Sequence, residues 1–315
     1  ISVDSERGPC DVSFPLVHSR VAVSNDAGLS WTWAATVNTP EPITIDCPEL
    51  ADCSGTLIHE VSSLVFDGED PNPALRWKMF AHSYVVLPGD SLKREYGYIS
   101  LFSAPDASGP WSAARKLLGW NSRSSFSTSG ASQNLSDIPG LEDCVIFTEP
   151  GVLAQPGGLD LALGCAYFAG EVKIRVELLR SVDHAATFTR VGTLLTGDDA
   201  RCLGFENARL NAPHLFVADG AAYLLASPEE SIAPNLVGYR GCLVFALDDL
   251  ANGRLRRDGA GAPVVLRYLD TTAPRFTGAC ATTEGAPSLG YLQPTLYLDA
   301  PPSLFRILTT GYAAP

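Results

Sequence analysis

The chain has 315 residues, 46% hydrophobic and 18% charged, which is enough apolar surface for a sizeable core and excludes a largely disordered protein. The net charge of −13 argues against nucleic acid as a partner, because nucleic acid requires a basic surface. No apolar run reaches the roughly 18 residues that a membrane span needs, so no membrane partner is expected. The 28 glycines and 23 prolines indicate many turns, as in all-β proteins.

Short strand patterns dominate the chain. In Lys173–Leu178 polar and apolar residues alternate cleanly, as in a half-buried strand. Similar runs, separated by clusters of Gly, Pro, Asp and Asn, are Leu16–Val23, Leu64–Asp67, Trp77–Tyr84, Tyr96–Phe102, Leu159–Ala166, His214–Val217, Tyr223–Ser227 and Cys242–Leu247. The pattern predicts one short helix near Ser112–Leu118 and no long amphipathic helix.

One turn phrase recurs after successive strand patterns. Ser24–Trp31 returns as Ser181–Phe188, with a looser echo at Ser103–Trp111, in the form Ser-x-Asp-x-Gly-x-Ser/Thr-aromatic. In such a turn the Asp accepts backbone N–H groups and the Gly supplies a positive φ, so Asp26 and Asp183 are predicted to be structural. The phrase resembles the Asp-box of sialidases and other sugar-acting β-propellers, where it is a folding device.

The chain reads as a series of similar units, each with a polar first residue, an inner strand and two or three outer strands. Repeated sheet units of this kind predict a β-propeller, five-bladed with six blades as the alternative. The whole chain, 1–315, is predicted to form this single domain. The first of these repeated sheet units lacks strands, so we expect the C-terminal strand Phe305–Thr309 to complete that sheet and close the ring.

The eight cysteines form no Cys-x-x-Cys pair, which argues against a zinc or redox motif. An even count favours disulfides, and hence an oxidising compartment. Cys47 with Cys53 would close a small loop, and Cys10 with Cys280 would tie the chain ends together. Because the chain opens at Ile1, we expect the mature form of a secreted or periplasmic protein from which a signal peptide has been removed.

Acidic residues stand at the start of several inner strands. Where such strands converge on one channel, their first residues face a shared pocket. These first residues are Glu60, Glu149, Asn211 and Glu284, and Glu206 lies five residues before Asn211. Hydrolysis of a glycosidic bond needs one protonated and one ionised carboxyl at one place. We therefore predict Glu60 and Glu149 as the catalytic pair, with Glu206 in support.

Three phrases resemble the five-bladed glycoside hydrolases related to arabinanases, β-xylosidases and invertases. They are Glu149–Leu153, which looks like the family's third-blade start, 211–227, which looks like its fourth-blade phrase, and Arg76–His82. The resemblance implies three acids: a first-blade Asp, a third-blade Asp and a fourth-blade Glu. Here the third-blade position holds Glu149 and the fourth-blade position holds Asn211. Asp11 is the nearest match to the first-blade Asp, and a poor one.

Other polar residues are candidates for binding substrate. Histidines and arginines on the predicted inner strands can hydrogen-bond sugar hydroxyls, although such residues are often structural. The substrate-binding candidates are His18, Arg20, His59, His82, Arg209, His214 and Glu284. There is no Gly-x-Ser-x-Gly phrase, so Ser/His/Asp nucleophile chemistry has no support.

The sequence therefore predicts a glycoside hydrolase that acts as a monomer on a poly- or oligosaccharide. It predicts no cofactor and no catalytic metal, with a structural calcium ion as the one exception considered. A carbohydrate-binding propeller without catalysis is the main alternative, favoured by Asn211 in place of an acid. A polysaccharide lyase or a protein-interaction scaffold on the same fold is the other, because propellers host many functions.

Overall fold

The computed structural model describes residues 2–4, 17–49, 53–89, 91–120, 124–205, 207, 209–233, 236–269, 275–277, 279–284, 291–297 and 304–309. These residues form an all-β protein, as predicted, with only two short α-helices among them, α1 (Ser125–Thr128) and α2 (Gly197–Cys202). None of the described helices has the length and apolarity to cross a membrane. Two compact units divide the chain: a first unit of Ile1–Leu159 and Arg180–Arg190, and a second unit of Asp160–Leu179 and Val191–Pro315.

The first unit begins with a three-stranded antiparallel sheet, in the order β1 (Ser2–Asp4), β2 (Val17–Val23) and β3 (Thr32–Thr36). Burial alternates at the start of β2, which matches the predicted half-buried strand. Val21 of this strand packs with Met79, Ala81 and Phe102 in one apolar cluster.

A six-stranded sheet follows, with strands adjacent in chain order. Its members are β4 (Glu41–Thr44), β5 (Ser54–Phe66), β6 (Trp77–Leu87), β7 (Ser91–Ala104), β8 (Arg115–Gly119) and β9 (Gln133–Asn134). All residues of β6 after Trp77 are buried, so this strand lies inside the sheet packing on both faces. The helix predicted near Ser112–Leu118 is wrong: this segment supplies β8, because pairing with the free edge of β7 outweighs its local helix preference.

A four-stranded sheet has the order β10 (Cys144–Gln155), β11 (Gly158–Phe168), β12 (Val172–Ser181) and β13 (Thr189–Leu195). The alternating run Lys173–Leu178 lies within β12, as predicted. Leu161, Leu163, Val176 and Leu178 of β11 and β12 are fully buried. The sheet is therefore held by the apolar side chains that defined the sequence pattern.

The rest of the second unit is strand-rich. Its strands are β14 (Leu210–Ala218), β15 (Ala221–Ala233), β16 (Leu236–Tyr239), β17 (Cys242–Asp249), β18 (Arg254–Leu255), β19 (Val265–Leu269), β20 (Arg275–Thr277), β21 (Ala281–Thr282), β22 (Tyr291–Tyr297) and β23 (Leu304–Thr309). β14, β15 and β17 are adjacent and enclose an apolar cluster around Phe216, Leu225 and Val244. β23 pairs with β22. Closure of the first sheet by this C-terminal strand stays a prediction.

The recurrent turn has the predicted geometry. Asp183 accepts hydrogen bonds from the Thr187 backbone N–H (2.8 Å), the Thr187 hydroxyl (2.6 Å) and the Ser181 hydroxyl (2.8 Å). Asp26 accepts the same three bonds from Ser30 and Ser24. The turns connect β2 to β3 and β12 to β13. Both aspartates therefore organise turns between outer strands.

The structure tests part of the cysteine prediction. Cys47 and Cys53 form the small-loop disulfide that the spacing suggests. The pairing of Cys10 with Cys280 is wrong, because Cys280 is bonded to Cys242, next to it in the packed core of the second unit. Cys10 lies outside the described residues. Cys144 and Cys165 are also disulfide-bonded, and Cys202 is free and exposed.

Candidate active site

Three strands share one backbone irregularity. It lies in the middle of β5 and β10, where strand starts were predicted, and near the start of β14. Val61 in β5, Glu149 in β10 and Ala212 in β14 have φ of 50°, 56° and 51°, in the left-handed region. The strand register shifts between Glu60 and Ser63 in β5, and between Asn211 and His214 in β14. Left-handed backbone costs a residue with a side chain about 1–2 kcal/mol, so its repetition at equivalent places marks a functional candidate.

This irregularity fixes which residues are equivalent. Glu60, Thr148 and Asn211 each precede the left-handed residue directly. Glu149 itself occupies the left-handed position, followed by Pro150 as Ala212 is by Pro213. From the sequence, Glu149 and Glu60 were predicted to occupy equivalent positions of their strands. The backbone instead shifts it by one residue, which turns its side chain differently from that of Glu60.

Glu60 lies in a polar cluster of the first unit. It is partly buried, and the Tyr84 hydroxyl on neighbouring β6 donates a 2.5 Å hydrogen bond to its Oε1. Burial raises the pKa of Glu60, although the charge of Arg94 and the bond from Tyr84 oppose this. Burial and then the Glu60 charge raise the pKa of Tyr84 well above its ordinary value, so its hydroxyl remains a donor. A carboxyl with a raised pKa can hold a proton for transfer.

Arg94 connects this carboxyl to a second one. Its guanidinium carbon lies 5.5 Å from the centre of the Tyr84 ring. Arg94 interacts electrostatically with both Glu60 and Glu149. Glu149 is buried, with 8% of its surface exposed. The first unit thus brings together two of the three predicted catalytic acids around one arginine.

His82 belongs to the same cluster. It is 1% exposed, is the cross-strand partner of Glu60, and its Nδ1 lies 3.0 Å from the Thr148 hydroxyl. Its ring packs on Tyr84 and Trp120, with centroids 4.9 and 5.7 Å away. Burial, and secondarily the charge of Arg94, lowers the pKa of His82 to about 3, so the ring is neutral. Among the described residues its Nε2 finds no hydrogen-bond partner.

The structure places His59 away from this cluster. Its Nδ1 contacts the hydroxyls of Ser83 (2.7 Å) and Ser100 (3.3 Å), and its ring meets Phe102 edge-on. Burial lowers the pKa of His59 to about 4. These contacts join neighbouring strands of the six-stranded sheet, and a role for His59 in binding substrate stays a prediction.

The two candidates on β2 also have their own partners. His18 Nδ1 lies 3.3 Å from the Asn38 carbonyl oxygen. The Arg20 guanidinium carbon lies 5.6 Å from the centre of the Trp33 ring. Both side chains are partly buried.

The second unit contains a separate polar cluster. Asn211 is 2% exposed and donates to Glu229 Oε1 (3.0 Å) and to the Tyr239 hydroxyl (3.4 Å). Arg209 forms an ion pair with Glu229, with 3.4 Å between Nη1 and Oε2. The predicted Arg209 therefore meets an acid that was not predicted. Glu206 lies outside the described residues.

The remaining two candidates are also in the second unit. Nε2 of His214 accepts the backbone N–H of Thr282 (3.2 Å) and lies 2.9 Å from its hydroxyl. Burial lowers the pKa of His214 to about 4. Glu284 is exposed, just after β21.

Sequence reasoning missed Tyr84, Arg94 and Glu229. A signal for Tyr84 was available, because it lies two residues after His82 on the strand next to Glu60 and so points to the same face. Glu229 has the same relation to Asn211, two residues after its cross-strand partner Ser227. Arg94 carries no comparable signal, since it lies on β7, which β6 separates from Glu60 on β5.

One group of possible metal ligands exists among the described residues. Single ligand atoms of Asp67, Asp70 and His184 lie within 4.8 Å of one another. The buried Lys78 ammonium lies 3.0 Å from Asp67 and 2.5 Å from Asp70. A protein cation thus offsets part of the charge of the two carboxylates at this place. The predicted structural calcium ion stays a prediction.

Comparison with known proteins supports the fold. No protein-family model matches the sequence, and no curated protein gives a significant match. An exo-inulinase from Aspergillus awamori is similar in structure with a TM-score of 0.56 and 11% identity, over 96% of this chain and 57% of that one. A variant GH32 beta-fructofuranosidase of Bombyx mori in complex with sucrose has a TM-score of 0.51 and 15% identity, over 95% of this chain and 51% of that one.

These similarities concern architecture. This chain spans about half the length of the two enzymes it resembles, and identities of 11% and 15% establish the fold alone. The chain shares the fold of these two enzymes, which confirms the all-β propeller prediction and agrees with the resemblance drawn from the sequence. The number of blades stays a prediction.

Proposed function

We propose that the protein is a glycoside hydrolase whose chemistry is carried by carboxyl groups of the first unit. The observation that supports this most strongly is Glu60: a partly buried carboxyl with a raised pKa that lies directly before the left-handed Val61 and interacts electrostatically with Arg94. Glu149 adds a second, buried carboxyl, whose charge interacts with the same arginine. Two carboxyls in different environments are what this hydrolysis needs.

In this proposal Glu60 is the general acid. Its raised pKa keeps a proton available, and the Tyr84 hydroxyl fixes the direction of its carboxyl. Glu149 is the second carboxylate, which either attacks the sugar carbon or activates a water molecule. Arg94 lowers the cost of placing two carboxyls close together, because its charge interacts with both. Glu206 in a supporting role is part of the proposal as predicted from the sequence.

The proposed substrate is a neutral oligo- or polysaccharide. The two similar enzymes are a beta-fructofuranosidase with bound sucrose and an exo-inulinase, which favours plant and fungal oligosaccharides as the first to be tried. The disulfides fit an oxidising compartment, so we also propose that the protein is secreted or periplasmic. That it acts as a monomer is a further expectation of the same proposal.

A carbohydrate-binding protein without catalysis is the second candidate. Asn211 supports it, because this amide occupies in β14 the place that Glu60 has in β5, and an amide cannot transfer a proton at neutral pH. The lyase alternative needs a His or Tyr base beside a charge-neutralising Arg or a metal, for which His59, His82 and Arg20 were the candidates. Their partners differ, namely Ser83, Thr148 and Trp33 respectively.

Release of reducing ends from a panel of plant, fungal and bacterial glycans tests the proposal. Wild-type protein is compared with Glu60→Gln, Glu149→Gln and, as a matched control, Glu41→Gln, an exposed glutamate of β4. We expect release by the wild type and the control and its loss in the other two. Binding to a glycan without release by any of the four proteins would instead establish the carbohydrate-binding alternative.

A further inference from the structure

The second unit has a cavity whose lining residues include neither Glu60 nor Glu149. Its volume is about 410 Å³, within the range of ligand pockets of roughly 300–1,000 Å³. Phe205, Asn207, Glu229, Glu230 and Arg240 contribute to its walls. Space for a small ligand therefore lies beside carboxylates, donors and an aromatic ring.

Glu229 is the best-fixed polar group of this wall. Its side chain is 9% exposed, and its carboxylate is held by Asn211 (3.0 Å) and by Arg209 (3.4 Å). The backbone around it is fixed as well, because Asn207 Nδ2 donates to its carbonyl oxygen (3.2 Å). An ionised carboxylate has about four lone-pair sites. The two named donors leave acceptor capacity on oxygens that already have a set orientation.

The charges on the cavity wall restrict the chemical class of ligand that can bind. The wall carries the carboxylates of Glu229 and Glu230 and the guanidinium of Arg240. Arg240 lies 3.7 Å from Glu230, and Glu229 is paired with Arg209. An anion would meet this acidic wall unfavourably, and an apolar ligand would leave buried carboxylate oxygens desolvated. A ring with several hydroxyl groups can donate to the carboxylates, accept from Arg240, and lay its C–H face on Phe205.

We propose that this cavity is a carbohydrate-binding site of the second unit, which holds one neutral sugar residue through Glu229, Glu230, Arg240 and Phe205. The site binds without chemistry, whereas the hydrolysis is assigned to Glu60 and Glu149 of the first unit. It extends the proposed function by giving the protein a second place at which to hold a glycan.

Calorimetry with a protein that cannot consume its ligand tests this site. The Glu60→Gln/Glu149→Gln protein is titrated with 1-kestose, arabinotriose and xylotriose, and with glucosamine as a cationic probe. Glu229→Gln, Glu230→Gln and Phe205→Ala are then added singly, with exposed Glu171→Gln as the control. Because Glu230 is 45% exposed, its variant is expected to fold even if the others do not.

We expect at least one neutral trisaccharide to bind, and its Kd to rise about tenfold or more in the cavity variants, as for one lost charge-assisted hydrogen bond. The control is expected to leave Kd unchanged. Binding of none of the neutral probes, binding of glucosamine alone, or an unchanged Kd in the Glu230 variant would each overturn the proposal. Turnover by the wild type is measured separately, so failure of this site and failure of the hydrolase proposal are distinguishable.

Discussion

The hydroxyl of Tyr84 donates a 2.5 Å hydrogen bond to Oε1 of Glu60, just where β5 leaves its regular register. This bond stabilises the ionised form of Glu60 and so lowers its pKa, against the larger effect of burial. The pair therefore sets the pH at which Glu60 loses its proton, and with it the pH range in which a general acid is present.

Tyr84→Phe should move the pH profile in a known direction. Removing the hydrogen bond raises the pKa of Glu60 further, and the protonated form is the active one in the proposed mechanism. We expect the alkaline limb of kcat/KM to move to higher pH, measured on the glycan identified in the panel. Tyr98→Phe, a buried tyrosine on β7, is the control and should leave the limb in place. A limb that moves to lower pH would contradict the assignment of Glu60.

Two substitutions of Glu149 can separate the conformational free energy of its left-handed backbone from the role of its carboxylate. At φ 56° a glycine is unstrained, whereas alanine keeps the strain. Both Glu149→Gly and Glu149→Ala remove the carboxylate, so both should lose turnover. The glycine variant should be more stable than the alanine variant by about 1 kcal/mol, measured by urea unfolding. Equal stability of the two variants would show that the left-handed conformation is not held in solution.

Asp183 should matter for folding and not for turnover. Its carboxylate accepts bonds from the Thr187 backbone and hydroxyl and from the Ser181 hydroxyl. Asp183→Ala should lower the free energy of unfolding by about 1–3 kcal/mol, because the turn loses charge-assisted hydrogen bonds. The turnover per folded molecule should stay that of the wild type. A loss of turnover at unchanged stability would mean that the repeated turn has a direct part in the site.

The buried Lys78 should be essential to the first unit at neutral pH. Lys78→Met leaves Asp67 and Asp70 without their cation, which costs about 3–5 kcal/mol for a broken buried ion pair. Burial raises the pKa of Asp70, but the hydrogen bond and charge of Lys78 overcome this and lower it below 3.8. The ion pair therefore stabilises the protein above pH 3.8 and less so as pH falls through the lowered value.

The difference between wild type and Lys78→Met in urea unfolding should accordingly be large at pH 7 and shrink as the pH falls below about 4. Lys173→Met, which replaces a lysine whose partner Asp198 is exposed, serves as the control and should change little at either pH. A difference that grows on acidification would contradict the charge balance described for Asp67 and Asp70.

Strand positions could be predicted from the sequence because alternation and turn residues are local signals. Lys173–Leu178 alternates as a half-buried strand must, and Asp26 and Asp183 mark turns by side chains that bond within five residues. The prediction of a helix at 112–118 was wrong, because the strand there depends on pairing with β7, which the residues of the segment do not themselves specify. Pairing decides such short strands, while local propensity is weak.

Half of the candidate-site residues could be predicted from the sequence for the same reason, because they carry a local signal. Glu60 and Glu149 were recognisable as acids at the starts of repeated units. Their different backbone positions were not, because a left-handed residue such as Glu149 has no side-chain signature. Arg94 was missed because its place depends on strand register, which no local pattern in the chain specifies.

The role of Glu60 as general acid is tested most directly by the dependence on leaving group. Once the sugar is known, Glu60→Gln and wild type are compared on the natural glycan and on its 2,4-dinitrophenyl glycoside, which departs without protonation. The account predicts a loss of about 10²–10⁴ in kcat/KM on the glycan and little loss on the activated substrate. Equal loss on both substrates, or full activity on the glycan, would contradict it.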